Sequence, residues 1–144
     1  MITYSPTQLA VATEIFSFFS PTDKLGPMGA VAAVVNAACE SSLKPDAIGD
    51  HDKAFGLFQV HADADIRALV TSKDPDPAKQ CAFLWHDFQT TEHHALGTIL
   101  ASKTSADATY NWTLHYERPA AGASEASRRA GLAEQWRQHF GVAA

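Results

Sequence analysis

The chain has 144 residues, 46% of them apolar and 19% charged, and carries a net charge of −5 with its histidines neutral. That length and apolar content suit a single domain, 1–144, with its own core, and exclude a disordered chain. The acidic balance excludes nucleic acid as a partner, since binding it needs a basic face, and no run reaches the roughly 18 apolar residues that span a bilayer.

Ser5-Pro6 opens the first predicted helix, with a serine N-cap and proline at the first helical position. Leu9, Ala12, Ile15, Phe16 and Phe19 follow its inward face, and Ser20-Pro21 ends it. The stretch MITYSPTQLAVATEIFSFFSP lacks a basic flank and holds Glu14 in its apolar part, so it does not read as a secretory leader. The protein is therefore expected to reach its place of action by some other route. Gly26-Pro27 starts a second helix through MGAVAAVVNAACE, apolar nearly all round and therefore the expected buried centre of the fold. Pro45 and Gly49 show that this helix stops soon after Glu40.

AFGLFQVH, residues 54–61, is short and aromatic and predicts a small strand, hairpin or packed extended loop. Strand alternation would put Phe55, Leu57, Gln59 and His61 on one face. A short helix is predicted over Asp63 to Val70. Another opens at Asp76-Pro77, with Cys81, Leu84, Trp85 and Phe88 as its buried stripe. Thr91 to Ala101 predicts a helix with Ala95, Leu96, Ile99 and Leu100 inward. Ser105 is the expected cap of the next, which runs through Ala108, Trp112 and Tyr116 until Glu117-Arg118-Pro119 stops it. After the small-residue loop Ala120 to Ala123, Ser124 is expected to cap a final helix with Ala126, Ala133, Trp136 and Phe140 on one side and Gly141 as its stop. Arg128, Arg129 and Arg137, interleaved with Glu125 and Glu134, read as its solvated face. The expected fold is mainly α (α+β), about six or seven helices with one small β element after the second.

Glu40 is the residue with the clearest chemistry. It sits where an apolar helix gives way to a Pro/Gly/Asp-rich loop, half in an apolar wall and half in a cleft. Burial disfavours the charged carboxylate, so Glu40 is a candidate general acid. A glycosidase adds a second carboxylate as base or nucleophile. Asp46, Asp50 and Asp52 are local candidates, Asp50 and Asp52 the preferred ones, although such residues also make turns. Glu117, beside Arg118, reads as structural.

Ser41 and Ser42 could orient Glu40 or cap its helix. Gly56 permits close backbone approach to a ligand, and Gln59 and His61 could hydrogen-bond an N-acetyl sugar. Trp85, Tyr110, Trp112 and Tyr116 could stack on pyranose rings, but helical spacing favours the core. The seven histidines show no zinc-binding spacing, no nucleotide-binding or serine-nucleophile motif occurs, and no cofactor is expected. Cys39 and Cys81 read as small buried apolar residues.

Three ordered blocks resemble the phage tail lysozyme family of the lysozyme-like superfamily. GAVAAVVNAACESSLKPDAIGDHDKAFGLFQVH is similar to the family's helix ending in Glu-Ser, followed by a loop and a G-L-x-Q-like strand. CAFLWHDF looks like its F-L-W-x-E-L helix, with Asp87 where the family usually has glutamate, and ATYNWTLHYERPA is similar to its E-R-P helix end. The blocks cover about residues 28 to 137. The resemblance implies a lysozyme-like two-lobed domain. It also implies a muramidase that cleaves the β-1,4 bond between N-acetylmuramic acid and N-acetylglucosamine. Glu40 then matches the catalytic acid, and Glu117 and Arg118 match the E-R-P. Peptidoglycan strands would be the substrate, and a phage tail or secretion machine the assembly that brings the enzyme to the wall or periplasm. Glu-Ser with G-L-x-Q is shared with lytic transglycosylases, so that route stays open, as does a non-catalytic wall-binding module.

Overall fold

The computed structural model describes residues 2–61 and 63–144. Two lobes emerge from the order of the elements. Helices α1 (Pro6–Phe19) and α2 (Gly26–Ser41) lead into a three-stranded antiparallel sheet of β1 (Ile48–Gly49), β2 (Ala54–Phe55) and β3 (Val60–His61). Helices α3 (Ala64–Val70), α4 (Pro77–Gln89), α5 (His93–Leu100) and α6 (Ser105–Trp112) follow. A single π-turn, Thr113–Glu117, extends α6, and α7 (Ala123–Ala130) and α8 (Ala133–His139) complete the chain. Among the described residues no helix is long and apolar enough to cross a membrane.

The start signal of α1 acts as the sequence predicts. Ser5 and Gln8 form a reciprocal capping box on α1. The Gln8 Nε2 also donates to the Ser42 carbonyl at 2.8 Å, tying the start of α1 to the end of α2. Helix α2 is the buried axis: every residue from Gly29 to Ala38 lies inside, packed against α1 and α6. Between the lobes sits an aromatic cluster. The buried Trp112 ring is met by Phe88 at 5.0 Å, Phe58 at 5.6 Å and Phe19 at 5.8 Å between centroids, so Phe58 anchors the β lobe to the helical core.

Of the forms expected over 54–61 the structure has the hairpin, two two-residue strands joined by a turn. Ile48 pairs with Phe55, and Phe55 with Val60. Gly56 (φ +81°) and Gln59 (φ 50°) are left-handed, which breaks the alternation, so Phe55, Leu57, Gln59 and His61 do not share a face. The reason lies outside the segment. Buried Gln80 on α4 accepts the Leu57 N–H at 2.9 Å and donates to the Pro45 carbonyl at 2.8 Å, holding the turn against the helix. A side chain at position 56 would strike the Gln80 amide oxygen and come within 2.9 Å of Val70 Cγ2. Gly56→Ala is therefore expected to destabilise the protein by about 1–3 kcal/mol, the cost of a strained left-handed residue, with the Gln80 bonds at further risk. Urea unfolding checks this, and an unchanged midpoint would refute it.

Three other expectations change. Leu100 is exposed, not inward. Thr104, not Ser105, caps α6, its hydroxyl accepting the Asp107 N–H at 3.0 Å. The final helix is two, broken at Gly131–Leu132, and Gly122 rather than Ser124 stands at the N-cap of α7. The Ser124 hydroxyl bonds back to the Ala121 carbonyl.

Candidate active site

Glu40 is the penultimate residue of α2, its side chain one-fifth exposed. The α2 axis is dry because its residues are small and apolar, and the last turn delivers Glu40 to the edge of that dry region. Unpaired carbonyls at a helix C-terminus also disfavour a carboxylate there. Burial raises the Glu40 pKa above the ordinary carboxylate range, while Arg129 opposes the rise by charge and hydrogen bond. The Glu125 charge adds to it, and His61 opposes it.

Beneath Glu40 lies a polar network. The Arg129 side chain is buried, with Nε donating to Glu125 at 2.7 Å, Nη1 to the Asn36 side-chain oxygen at 2.9 Å and Nη2 to Glu40 at 3.5 Å. Asn36, fully buried on α2, also accepts from the Thr113 hydroxyl at 2.9 Å and donates to the Ala32 carbonyl. Arg129 therefore belongs to the interior, in contrast to the solvated face expected for it, because Asn36 and two carboxyls draw it in. Arg128 does lie at the surface, chelating Glu125. Two sequence signals mark the network: one amide in an otherwise apolar helix, which must find a partner, and the i, i+4 spacing of Glu125 and Arg129.

Glu117 lies across from this network, at the end of the π-turn. Its Oε1 accepts the Trp112 indole N–H at 3.1 Å. Arg118, left-handed at φ 48°, turns away from Glu117 and clamps Glu92 at 2.9 and 3.1 Å. Arg118 thus pairs with Glu92 and not with its chain neighbour Glu117. Burial raises the Glu117 pKa well above the carboxylate range, the Glu40 charge adds to the rise, and the Trp112 bond, Arg129 and Arg118 oppose it. Asp87 is raised by burial, then by Asp63 and Glu92, against His86.

Glu117, Arg118, Glu92, Asp87 and Tyr116 line a cleft of about 310 Å³ whose other wall is Phe58, Gln59, Val60 and His61 of the β lobe. Tyr116 leans on Phe88 and Trp112, with centroids 4.9 and 5.9 Å away. Gln59 lies at the cleft but its amide Nε2 is bound to the Gly56 carbonyl at 3.0 Å and the Ala47 carbonyl at 3.3 Å. His61 Nδ1 is 3.5 Å from Asp50 Oδ2, both half exposed. Asp50, His51 and Asp52 are consecutive left-handed residues in the β1–β2 turn. Asp52 faces a different hollow, with Lys53, Phe55, Asp63 and Arg67. The buried Ser41 hydroxyl donates to the Ala37 carbonyl of its own helix, and Gly56 admits Gln80. The structure thus gathers Glu117, Tyr116, Gln59 and His61 at one cleft and leaves Glu40, Asp50, Asp52, Ser41 and Gly56 off its lining, with Glu40 within electrostatic reach of Glu117 and His61. Such a site can hand a proton from a half-buried carboxyl to a polar substrate.

The model of the phage tail lysozyme family matches residues 10–140 of the chain. No curated protein and no solved structure matches.

Proposed function

The chain belongs to the phage tail lysozyme family, and from that premise we propose that it is a muramidase that hydrolyses the β-1,4 bond between N-acetylmuramic acid and N-acetylglucosamine, with Glu40 as general acid. Membership carries a lysozyme-like, peptidoglycan-degrading role and association with the phage tail. The observation that carries the assignment to Glu40 is its position: a half-buried carboxyl at the dry end of α2, held toward its protonated form within electrostatic reach of His61 and Glu117 on the interlobe cleft. A raised carboxyl pKa serving as glycosidase acid is the pattern the lysozyme case illustrates.

Glu40 gives its proton to the glycosidic oxygen as the bond from the muramic C1 breaks, and an oxocarbenium-like state develops on that sugar. Water then adds at C1. Its proton goes to Asp50, which already holds His61 at the cleft edge, or to Glu40, now a carboxylate. Tyr116, Gln59 and His61 are the residues proposed to meet the sugars. An acidic domain gains nothing electrostatically from an anionic wall, so affinity is assigned to these contacts and to the tail that carries the enzyme.

A second reading has its own support. The cleft carboxyls Glu117 and Asp87 are themselves held toward the neutral form, which suits a lytic transglycosylase, where one acid/base suffices and the product is a 1,6-anhydro sugar. Mass spectrometry of digested sacculi separates the readings. Reducing muramic ends are expected. Anhydro ends would assign the transglycosylase route, and binding to sacculi without release would assign a non-catalytic module.

A further inference from the structure

Asn36 is the one polar side chain in the α2 run from Gly29 to Ala38, and it is fully buried. We propose that Asn36 is a positioning residue for Glu40: by accepting Arg129 Nη1 it holds the guanidinium back from the Glu40 carboxyl, which is thereby kept out of a closed ion pair. The proposal rests on the reading of Glu40 as the general acid.

The contacts carry it. Asn36 and Glu40 stand four residues apart on α2 and so on one face of the helix, with the Arg129 guanidinium against both. Charge-assisted hydrogen bonds ordinarily close to about 2.7–2.9 Å. Arg129 reaches that length with Glu125, 2.7 Å from Nε, and with the Asn36 oxygen, 2.9 Å from Nη1. Its Nη2 stops 3.5 Å from Glu40. The guanidinium is a rigid plane, so two anchored nitrogens fix the third. Asn36 is itself fixed. Its Nδ2 donates to the Ala32 carbonyl at 3.0 Å and its oxygen also accepts from the Thr113 hydroxyl at 2.9 Å, an amide orientation that the Ala32 acceptor and the Arg129 donor dictate.

A carboxyl that closes on a buried guanidinium is held as a carboxylate, and a general acid so held has no proton to give. Asn36 occupies one arm of Arg129 without adding charge, and Glu125 occupies another, which leaves Glu40 the loosest of the three acceptors. The other charged groups facing Glu40 are Glu125 from α7, His61 from β3 and Glu117 from the π-turn. Arg128, also on α7, is committed to Glu125. Among the described residues only Arg129 donates a hydrogen bond to the Glu40 carboxyl. The sign follows. Asn36→Leu keeps the branched shape and removes the anchor. An apolar neighbour by itself raises a carboxyl's pKa, whereas a closing cation lowers it. A downward move therefore reports Arg129 closing on Glu40.

The activity of Asn36→Leu on sacculi, profiled against pH, tests this. Its alkaline limb is expected to move to lower pH by about one unit, the low end of what a nearby cation does to a carboxyl. The Glu40 carboxyl carbon of the 13C-glutamate-labelled, substrate-free variant is expected to titrate lower by the same amount. Asn36→Asp, which restores an acceptor for Arg129, is expected not to move the limb down. A purely structural Asn36 would change the thermal midpoint and scale the profile without moving its limb. That result overturns the inference, as does an upward move in Asn36→Leu or a downward one in Asn36→Asp. Should Asn36→Leu fail to fold, crystal structures of the native protein below and above the Glu40 titration decide. The Arg129–Glu40 gap is expected to stay near 3.5 Å, and closure to about 2.8 Å on ionisation overturns the proposal. Full activity in Glu40→Gln would instead remove the general-acid reading while leaving the Glu40 titration shift in Asn36→Leu standing, so the two failures are distinguishable.

Discussion

Glu40→Gln is expected to lower turnover on peptidoglycan by about 10²–10⁴-fold, the range that a positioned general acid contributes, with the fold intact. Glutamine matches the glutamate in size and keeps an oxygen to accept from Arg129 Nη2, so the network beneath the site survives. It removes only the ionisable proton. Stability should hold or rise slightly, because the substitution ends the cost of placing a charge at a half-buried helix terminus. Turbidity loss of sacculi suspensions and a thermal melt measure the two effects. Native turnover in a folded variant would sink the assignment, whereas lost turnover in an unfolded one would be explained by structure alone. The same logic predicts that wild-type activity declines toward alkaline pH, as the acid is titrated away.

Arg129→Ala is expected to cost about 3–5 kcal/mol, the usual penalty for breaking one side of a buried ion pair. Against a total stability of roughly 5–15 kcal/mol, that places the variant near its unfolding threshold. The reason is how many groups depend on one guanidinium: Glu125, Glu40 and the Asn36 oxygen all lose a donor at once. Lysine cannot replace it, since an ammonium lacks the fork that reaches three acceptors in different directions. There is a pH signature as well. The Glu125 pKa is lowered to about 2, chiefly by its Arg128 hydrogen bond and then by Arg129. A depressed carboxyl contributes stability that is present above its unfolded value, ordinarily near 4.5, and is lost as pH falls toward 2. The wild type should therefore weaken through that acid window, and Arg129→Ala should weaken less. Urea unfolding at several pH values decides the matter, and a penalty under 1 kcal/mol would overturn this account.

Elements specified by neighbouring residues were legible in the sequence. Ser5-Pro6, Asp76-Pro77 and the apolar α2 run carry their own start signals and burial, and the structure places caps and core accordingly. What escaped was set at a distance. The 54–61 segment has strand composition, but Gln80, a helix residue far along the chain, claims its turn. Thr104 displaced Ser105 as the α6 cap because two adjacent hydroxyls offer equivalent caps and the backbone register chooses between them. Arg129 looked like surface charge because its partners, Asn36 and Glu40, lie on another helix. Glu40 itself was readable because helix end, apolar wall and loop are contiguous there. The charge around Glu117 was not, since it is assembled from α2, α6 and α7.

The π-turn at Thr113–Glu117 also constrains how this protein can change over generations. Its wider ring holds one residue more than an α-turn would, and that surplus sets which side chain emerges at the cleft. Deleting a single residue from the turn would close it into an ordinary α-turn and remove the surplus that carries a side chain out to the cleft. The turn cannot absorb a change of length. Descendants are therefore held to the count of this stretch as well as to Thr113, Tyr116 and Glu117 within it.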